Sequence, residues 1–534
     1  MSQVGATDGQ AQLDRRIDAS GRWPAVSDLA VYAGVALCLL GGLLLFYGSY
    51  YSIHHDLAGN VLSGRLAATL GSSFGDYALY FPPSERAWFS LASRLADLTG
   101  LRLDLTIVLM SGAAVLFAAS LAYRIRRQTV GASPLFLVLS VLLLVVLPIL
   151  FKNVFGMREH LVVLGLWPYL VLRVSDPDGT RIGWQKRLLV GLWMGATLLI
   201  KYLYSIVVLL VEIADAAVQR RPALLFRIEN IASGAVVAVY LFVWLVLDAS
   251  QRTAIGAVLS AIDANLDDPR TNWLKAANHL ALSLFFVLAF RIFQVPKRAT
   301  LIGFALELGT VIAAWTQERW YSHHLFPITM AYIAWWWMVG RSFRWWGHAV
   351  VAICLIAPIA TQFISTGQHQ QKVAELDLAL GEAGQSVAGK RVGILTMHPS
   401  PYNQYLASHG ATRWNSSANN AYVAAELKPL DQLENAGATP PPVKLDDPGR
   451  RMLHDEMLRL WEDMPPDVLI LDHSTRWPLS YLDVEWKHVF SEDARFNAIL
   501  AHYRPVVVHR GEWLEFRYYV RADEDRDTPT RTRS

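Results

Sequence analysis

The chain has 534 residues, of which 53% are hydrophobic and only 17% charged, with a mean hydropathy of +0.28. Such a composition excludes an ordinary soluble enzyme, and a formal net charge of +3 gives no reason to expect a nucleic-acid partner. Two cysteines, Cys38 and Cys354, lie in apolar runs far apart, which excludes a disulfide framework.

Residues 1–26 form a polar tail. No small-residue cleavage site closely follows the first apolar run, so that run is expected to be a retained helix and not a removed signal peptide. A membrane span needs about 20 apolar residues. By that criterion about eleven spans follow, near 29–50, 104–123, 134–151, 160–174, 187–200, 203–218, 228–248, 276–291, 300–316, 324–340 and 346–363. The fifth and sixth are short and could form one broken pair.

Every second loop is short and basic. Arg15, Arg16 and Arg22 precede the first span, and Arg124, Arg126 and Arg127 follow the second. Arg181, Lys186 and Arg187, then Arg220, Arg221 and Arg227, then Arg291, Lys297 and Arg298, then Arg341 and Arg344 continue the alternation. The positive-inside rule places these loops in the cytoplasm. The expected fold class is therefore a polytopic α-helical membrane protein, N-terminus inside and C-terminus outside, with an extracytoplasmic α/β domain.

That domain is expected over residues 391–520. A Gln- and Ala-rich linker helix over 364–390 precedes it, and a charged, disordered tail over 521–534 follows. Val392–Leu395 and Val468–Leu471 read as buried strands, Arg450–Asp463 as a helix, and Val506–Val508 with Trp513–Val520 as a closing hairpin about Arg510-Gly511. Gly437–Pro442 reads as a Pro-rich loop.

The outward segments collect the acids, histidines and aromatics. Residues 51–103, too long for a simple turn, open with His54-His55-Asp56. A carboxylate at that place could deprotonate an acceptor hydroxyl within hydrogen-bond reach; equally, Asp56 could only cap or solvate a helix end. A divalent cation on His-His-Asp is left open, although neighbours in a helix point about 100° apart and rarely share one ion. Further along, Gly75-Asp76-Tyr77 and Tyr80-Phe81-Pro82-Pro83 form an extended turn with interfacial aromatics, and Trp88, Leu91 and Leu95 mark an amphipathic segment.

Lys152, Arg158, Glu159 and His160 make a dense charged set at the outer end of the third span. Arg158 could hold a phosphate and Glu159 could be a second acid, or the two could simply pair. Lys201 interrupts an apolar stretch, where an insertion cost of roughly 3 kcal/mol at mid-bilayer places it at the outer rim of a cavity, near an anionic ligand or snorkelling. Gln317, Arg319, Tyr321, His323 and His324 crowd one outer loop, suited to a lipid phosphate or to an interfacial belt, with Trp335, Trp336 and Trp337 as candidate lining for an apolar tail.

A long first outer loop with an Asp at its start and a Tyr-x-Pro-Pro element, here Tyr80-Phe81-Pro82-Pro83, resembles the GT-C superfamily of integral-membrane glycosyltransferases. Gln317, Arg319, His323, His324 and Pro327 resemble a Gln-x-Lys-x-x-x-Tyr-His-x-x-Pro element of bacterial members, with Arg for Lys and His323 for Tyr. The resemblance covers residues 27–363. It implies transfer of a sugar, with inversion, from a polyprenyl-phosphate donor to a cell-envelope glycan or lipid acceptor. Asp56 would be the base and Glu159 the second catalytic acid. His55, Asp76, Tyr80, Lys152, Arg158, His160, Lys201, Gln317, Arg319, Tyr321, His323 and His324 would bind substrate. The same resemblance implies an inner-membrane enzyme among membrane lipids, its site and C-terminal domain facing the periplasm; no cofactor is assigned, and a divalent cation stays open. A lipid-linked polysaccharide polymerase or ligase is the alternative, and a transporter or flippase the next; the charges at the outer ends and the lack of a repeat argue against the last.

Overall fold

A computed structural model of the chain describes residues 25–49, 52–71, 83–151, 153–244, 269–292, 295–317, 320, 322–339, 366–396, 399–415, 448–473, 493–522 and 531–532. Among the described residues, four helical stretches are long and apolar enough to cross a membrane: Leu29–Ser49, Leu103–Val130, Tyr202–Gln219 and Lys297–Trp315. Pro134–Leu150 and Ile228–Phe242 are shorter apolar helices. The expected span at 346–363 and the Pro-rich loop at 437–442 lie outside the described residues.

Helix α1 (Ala25–Ser49) is followed by two helices of the segment expected to form the outer loop, α2 (His55–Leu70) and α3 (Pro83–Thr99). Then come α4 (Leu103–Val130), α5 (Pro134–Leu150), α6 (Arg158–Ser175) and α7 (Trp184–Ile200). A 3₁₀ turn over Tyr202–Tyr204 leads into α8 (Ser205–Gln219), so the fifth and sixth stretches are one apolar path broken at Lys201. Next are α9 (Ile228–Phe242), α10 (Pro269–Ile292), α11 (Lys297–Trp315) and α12 (Ser322–Val339). Helix α1 leaves Leu29, Leu37 and Leu45 more than two-thirds exposed. A leucine-rich surface of that kind requires an apolar surrounding.

Several arginines counted above as loop charges are instead built into a buried network at the ends of five helices. Arg173 on α6 pairs with Glu212 on α8 and with Glu229 on α9. Arg187 on α7 reaches Glu229 at 2.6 Å, and Asp215 on α8 takes Arg227 at 3.1 Å and Arg298 at 2.7 Å. Buried charges persist only when paired and hydrogen-bonded. This network ties α6, α7, α8, α9 and α11 together at the end opposite the candidate site.

The amphipathic segment forms α3, whose Phe89, Ala92 and Ala96 are buried while Leu91 and Leu98 stay exposed. It packs along α2.

Helix α13 (Thr366–Glu382) leads to the C-terminal domain, called the outer domain after the side expected for it: β1 (Arg391–Leu395), α14 (Pro399–Ser408), β2 (Thr412–Arg413), α15 (Pro448–Asp463), β3 (Val468–Asp472), α16 (Ala494–Leu500), β4 (Tyr503–Arg510), β5 (Glu515–Arg521) and β6 (Arg531–Thr532). The sheet order is β2-β1-β3-β5-β4-β6, with β1 parallel to β2 and β3, and β5 antiparallel to β3 and β4. Both expected strands are buried and central, and the hairpin turns after Arg510. The tail is not wholly without structure, because Arg531–Thr532 pairs with Val507–Val508 of β4.

The domain rests on the outer loop: α14 packs against α2 and α4, and β2 against α2.

Candidate functional site

Helix α2 begins at His55, with His54 as its N-cap in an extended conformation (φ −58°, ψ 143°). The His54 ring accepts the Asp56 backbone N–H at 3.2 Å. Because His54 stands outside the helix, the divergence expected of adjacent helical side chains does not apply. Its ring stacks on His55 at 4.1 Å between centroids. His54, His55 and Asp56 bring their ligating atoms within 4.8 Å of one another.

Residues 52–53, just before this cap, are held from two sides. Asn153 sits in a left-handed conformation (φ 56°), which an asparagine tolerates. Its Nδ2 donates to Ser52 O at 2.8 Å, while its Oδ1 accepts the Tyr47 hydroxyl. From the outer domain, Gln404 Nε2 donates to Ile53 O at 2.6 Å.

Asp56 faces α12: His323 Nδ1 lies 3.6 Å from Asp56 Oδ2. The Asp56 side chain remains 43% exposed. Burial works to raise its pKa, but His55, His54, His323 and Arg158 outweigh it and hold the carboxyl well below the usual range.

The second half of the site starts α6. Arg158 Nη1 donates to Glu85 Oε1 at 3.1 Å, drawing α3 onto α6. Burial raises the Glu85 carboxyl above its usual pKa despite the Arg158 charge. Glu159, fully buried, accepts the Lys201 ammonium on Oε1, and His324 Nε2 lies 3.8 Å away. Glu159 Oε2 has no hydrogen-bond partner. Lys201 is only 9% exposed, with its stem inside and not snorkelling outward. It caps α7 where the chain breaks, so a helix terminus delivers the charge.

Asp56, His55, Arg158, Glu159, Lys201, His323 and His324 are thus gathered around one polar focus. His160 is not. Its Nδ1 accepts Gly156 N at 2.9 Å and its Nε2 meets Leu144 O at 2.8 Å, so it fastens the 153–157 turn to α5. Gln317 turns back on its own helix, donating to Ala313 O at 2.5 Å. Asp76, Tyr80, Lys152, Arg319 and Tyr321 lie outside the described residues.

Sequence reasoning left Glu85, Asn153 and Gln404 out of the site. An acid two residues after the Pro82-Pro83 pair marks a helix first turn, but no spacing connects it to Arg158. Among the tryptophans, Trp335 packs with Phe290 and Trp337 with Trp167.

A small apolar cleft of about 20 Å³ lies beside the cluster, lined by Val163, Leu166, Trp167, Thr310, Pro327 and Met330. Val163 is one turn beyond Glu159 on α6, and Pro327 one turn beyond His323 on α12. The polar focus therefore stands one helical turn from a small apolar cleft on the same helices.

Two trios have the donor chemistry to hold a metal ion: His54, His55 and Asp56, and Glu159, His323 and His324. In the second, the Lys201 ammonium already lies on Glu159 Oε1, and Arg158 adds a further positive charge. A cation there would have to displace Lys201, and an anion would have to compete for Arg158, Lys201 and the imidazoles with the carboxylates they already face, Glu85, Glu159 and Asp56. Comparison of the sequence with protein-family models and with curated proteins gives no match.

Proposed function

We propose that this protein is a membrane glycosyltransferase of the GT-C kind, moving a sugar from a polyprenyl-phosphate donor to an acceptor at the outer membrane face. One observation carries the reading: Arg158, Lys201, His323 and His324 gather with the carboxylates of Glu85, Glu159 and Asp56 into one polar cluster, one turn from a small apolar cleft on α6 and α12. A ligand with an anionic head and a hydrocarbon tail would set its head among these groups and its tail along the apolar faces of the same helices. Eleven spans with the N-terminus inside and the outer domain in the periplasm go with this reading.

In the reaction, Asp56 accepts the proton of an acceptor hydroxyl. The hydroxyl oxygen bonds to the anomeric carbon from the face opposite the phosphate. The bond from that carbon to the phosphate oxygen breaks, and its electron pair leaves with the polyprenyl phosphate. Arg158, Lys201, His324 and Arg319 neutralise the departing charge. Glu159 orders Lys201 through Oε1 and offers Oε2 to a sugar hydroxyl. The depressed pKa of Asp56 suits a group that stays ionised and orients the hydroxyl until the proton becomes acidic in the transition state.

The test is binding and turnover of short-chain polyprenyl-phosphate sugars in nanodiscs, wild type against Asp56→Asn. Loss of turnover by about 10²–10⁴ with donor binding kept supports the assignment; full activity in a properly inserted Asp56→Asn protein removes it. Turnover only with lipid-diphosphate donors would favour a polymerase or ligase.

A further inference from the structure

The seam between α2 and the outer domain contains a charge that its surroundings do not answer. Arg413, on β2, is 2% exposed. Its Nη1 donates to Asn403 Oδ1 at 2.7 Å. Its Nε and Nη2 have no hydrogen-bond partner, and no carboxylate among the described residues pairs with it. Desolvation alone pulls its pKa down to about 10.

An isolated buried cation costs several kcal/mol, and buried charges in folded proteins are paired or coordinated. The unused edge is informative. Nε–H and one Nη2–H run parallel on the same side of the guanidinium, the edge that grips a carboxylate or phosphate with two bonds.

A second unpartnered donor is on α2, next in sequence to the residue that faces Asn403. Asn60 Nδ2, on α2, is buried with no hydrogen-bond partner. A Cβ built on its neighbour Gly59 would come within 3.1 Å of Asn403 Nδ2, so α2 and the Arg413–Asn403 pair are in direct apposition. Asn60 follows Asp56 by four residues and shares its face of α2. Arg413 and Asn60 each hold an N–H without a partner, and Gly59 and Asn60 lie one helical turn from Asp56.

We propose that Arg413 and Asn60 form an anion subsite for a phosphate-type oxyanion carried by the acceptor, held between α2 and the outer domain with the acceptor hydroxyl one turn away at Asp56. The assignment to the acceptor rests on the glycosyl-transfer reading; the anion site itself does not. The same oxyanion chemistry is present in a phospholipid headgroup and in a water-soluble phosphorylated glycan.

The experiment uses the full chain in phosphatidylcholine nanodiscs, titrated with inorganic phosphate against sodium chloride of equal ionic strength and followed by thermal unfolding. Wild type and Asp56→Asn are expected to gain several degrees in a saturable way. Arg413→Met loses that response, and Asn60→Ala weakens it by about tenfold. Because Asp56→Asn keeps the response, loss of the anion site and failure of the transferase reading are distinguishable. A parallel set in nanodiscs containing phosphatidylglycerol separates the sources. Stabilisation there without added phosphate, again dependent on Arg413, assigns the anion to a lipid headgroup; a response confined to added phosphate assigns it to a soluble acceptor. Should Arg413→Met not fold, Asn60→Ala carries the test. Equal phosphate response in wild type and both variants, or none in wild type with either lipid, overturns the proposal.

Discussion

Gln404 Nε2 donates to the carbonyl oxygen of Ile53 at 2.6 Å, joining residues 351 positions apart. One partner is on α14 of the outer domain; the other is three residues before Asp56. The same nitrogen lies 3.3 Å from Ser52 Oγ, and Asn153 holds Ser52 O from the opposite side. The outer domain is thereby part of the frame that sets the start of α2. Gln404→Ala would leave the buried Ile53 carbonyl without that donor, at a cost of about 1–3 kcal/mol. Since a displacement of about 1 Å at a reacting group can cost roughly 100-fold in rate, turnover should fall well before donor affinity does. Hydrogen exchange over residues 52–60 would rise in parallel. Unchanged exchange together with unchanged kcat would show that the outer domain does not position this segment.

Glu159 and Lys201 give a different kind of prediction. Removing one partner of a buried ion pair strands the other, at about 3–5 kcal/mol. Glu159→Gln and Lys201→Met should each lower thermal stability markedly. The double substitution should recover much of that stability, because no lone charge remains buried, yet it should not recover turnover. A double variant as unstable as the sum of the two singles would mean that the residues do not act as a pair.

How much of this was legible beforehand differs from residue to residue. The basic and polar clusters at 54–56, 158–159, 201 and 323–324 are visible in the sequence because ionisable groups beside apolar runs are rare. Their convergence is not visible, because it depends on which helix ends meet. Gln404 carries no sequence signal at all: an amide in a short helix of a separate domain has no periodicity pointing to Ile53. Arg187, Arg227 and Arg298 were readable as positive charges, but their acids, Glu229 and Asp215, sit among apolar residues and become partners only after packing. In the outer domain the strands were the clearest elements, since Val392–Leu395 and Val468–Leu471 are short apolar runs bounded by polar residues. His160 illustrates the converse error. Its place beside Glu159 suggested a ligand-binding role, whereas a helix turns adjacent residues about 100° apart, and it spends both ring nitrogens on backbone atoms.

Metal dependence can be tested through Lys201. With its ammonium on Glu159 Oε1, a divalent cation in the Glu159–His323–His324 trio must displace a positive charge. Chelator-treated wild type should therefore keep its donor binding. Lys201→Met, with that oxygen released, should bind a divalent ion more tightly than wild type in a calorimetric titration. Tight binding by wild type, abolished by Glu159→Gln, would reverse the assignment and make the trio a metal centre.

The pH behaviour of Asp56 has a definite sign. Burial pushes its carboxyl up, but His55, His54, His323 and Arg158 hold it below its usual pKa. A group depressed in the folded state contributes stability that is fully present above its unfolded pKa, about 3.9, and is lost as pH falls through the lower folded value. The stability difference between wild type and Asp56→Asn should therefore not shrink as pH falls from about 7 to 5. Thermal unfolding of both proteins at stepped pH measures it, and a difference fading across that interval would contradict the electrostatic account.

Glu375 supplies the prediction for the outer domain. It lies on the linker helix α13, and its carboxylate accepts Leu514 N and Trp513 N at 3.0 Å each, while His509 Nε2 lies 2.8 Å from Oε1. Gly511 closes the turn between β4 and β5 so tightly that a Cβ there would lie 2.0 Å from Glu375 Oε1. One carboxylate thus collects the donors of the hairpin turn and binds it to the helix coming from the membrane part. Charge-assisted bonds contribute about 1.5–3 kcal/mol each, less than additively. Glu375→Ala should cost roughly 3 kcal/mol, and Gln should recover part of this as a neutral acceptor. Gly511→Ala should mimic the loss, because the added methyl drives the carboxylate away from the turn. Limited proteolysis between α13 and β1 should be faster in both Glu375→Ala and Gly511→Ala. The loosening would also reach the membrane site, since α14 and Gln404 belong to the same domain. If Glu375→Ala left both the proteolysis rate and the hydrogen exchange at residues 52–60 unchanged, the mechanical link from the linker helix to Asp56 would be broken.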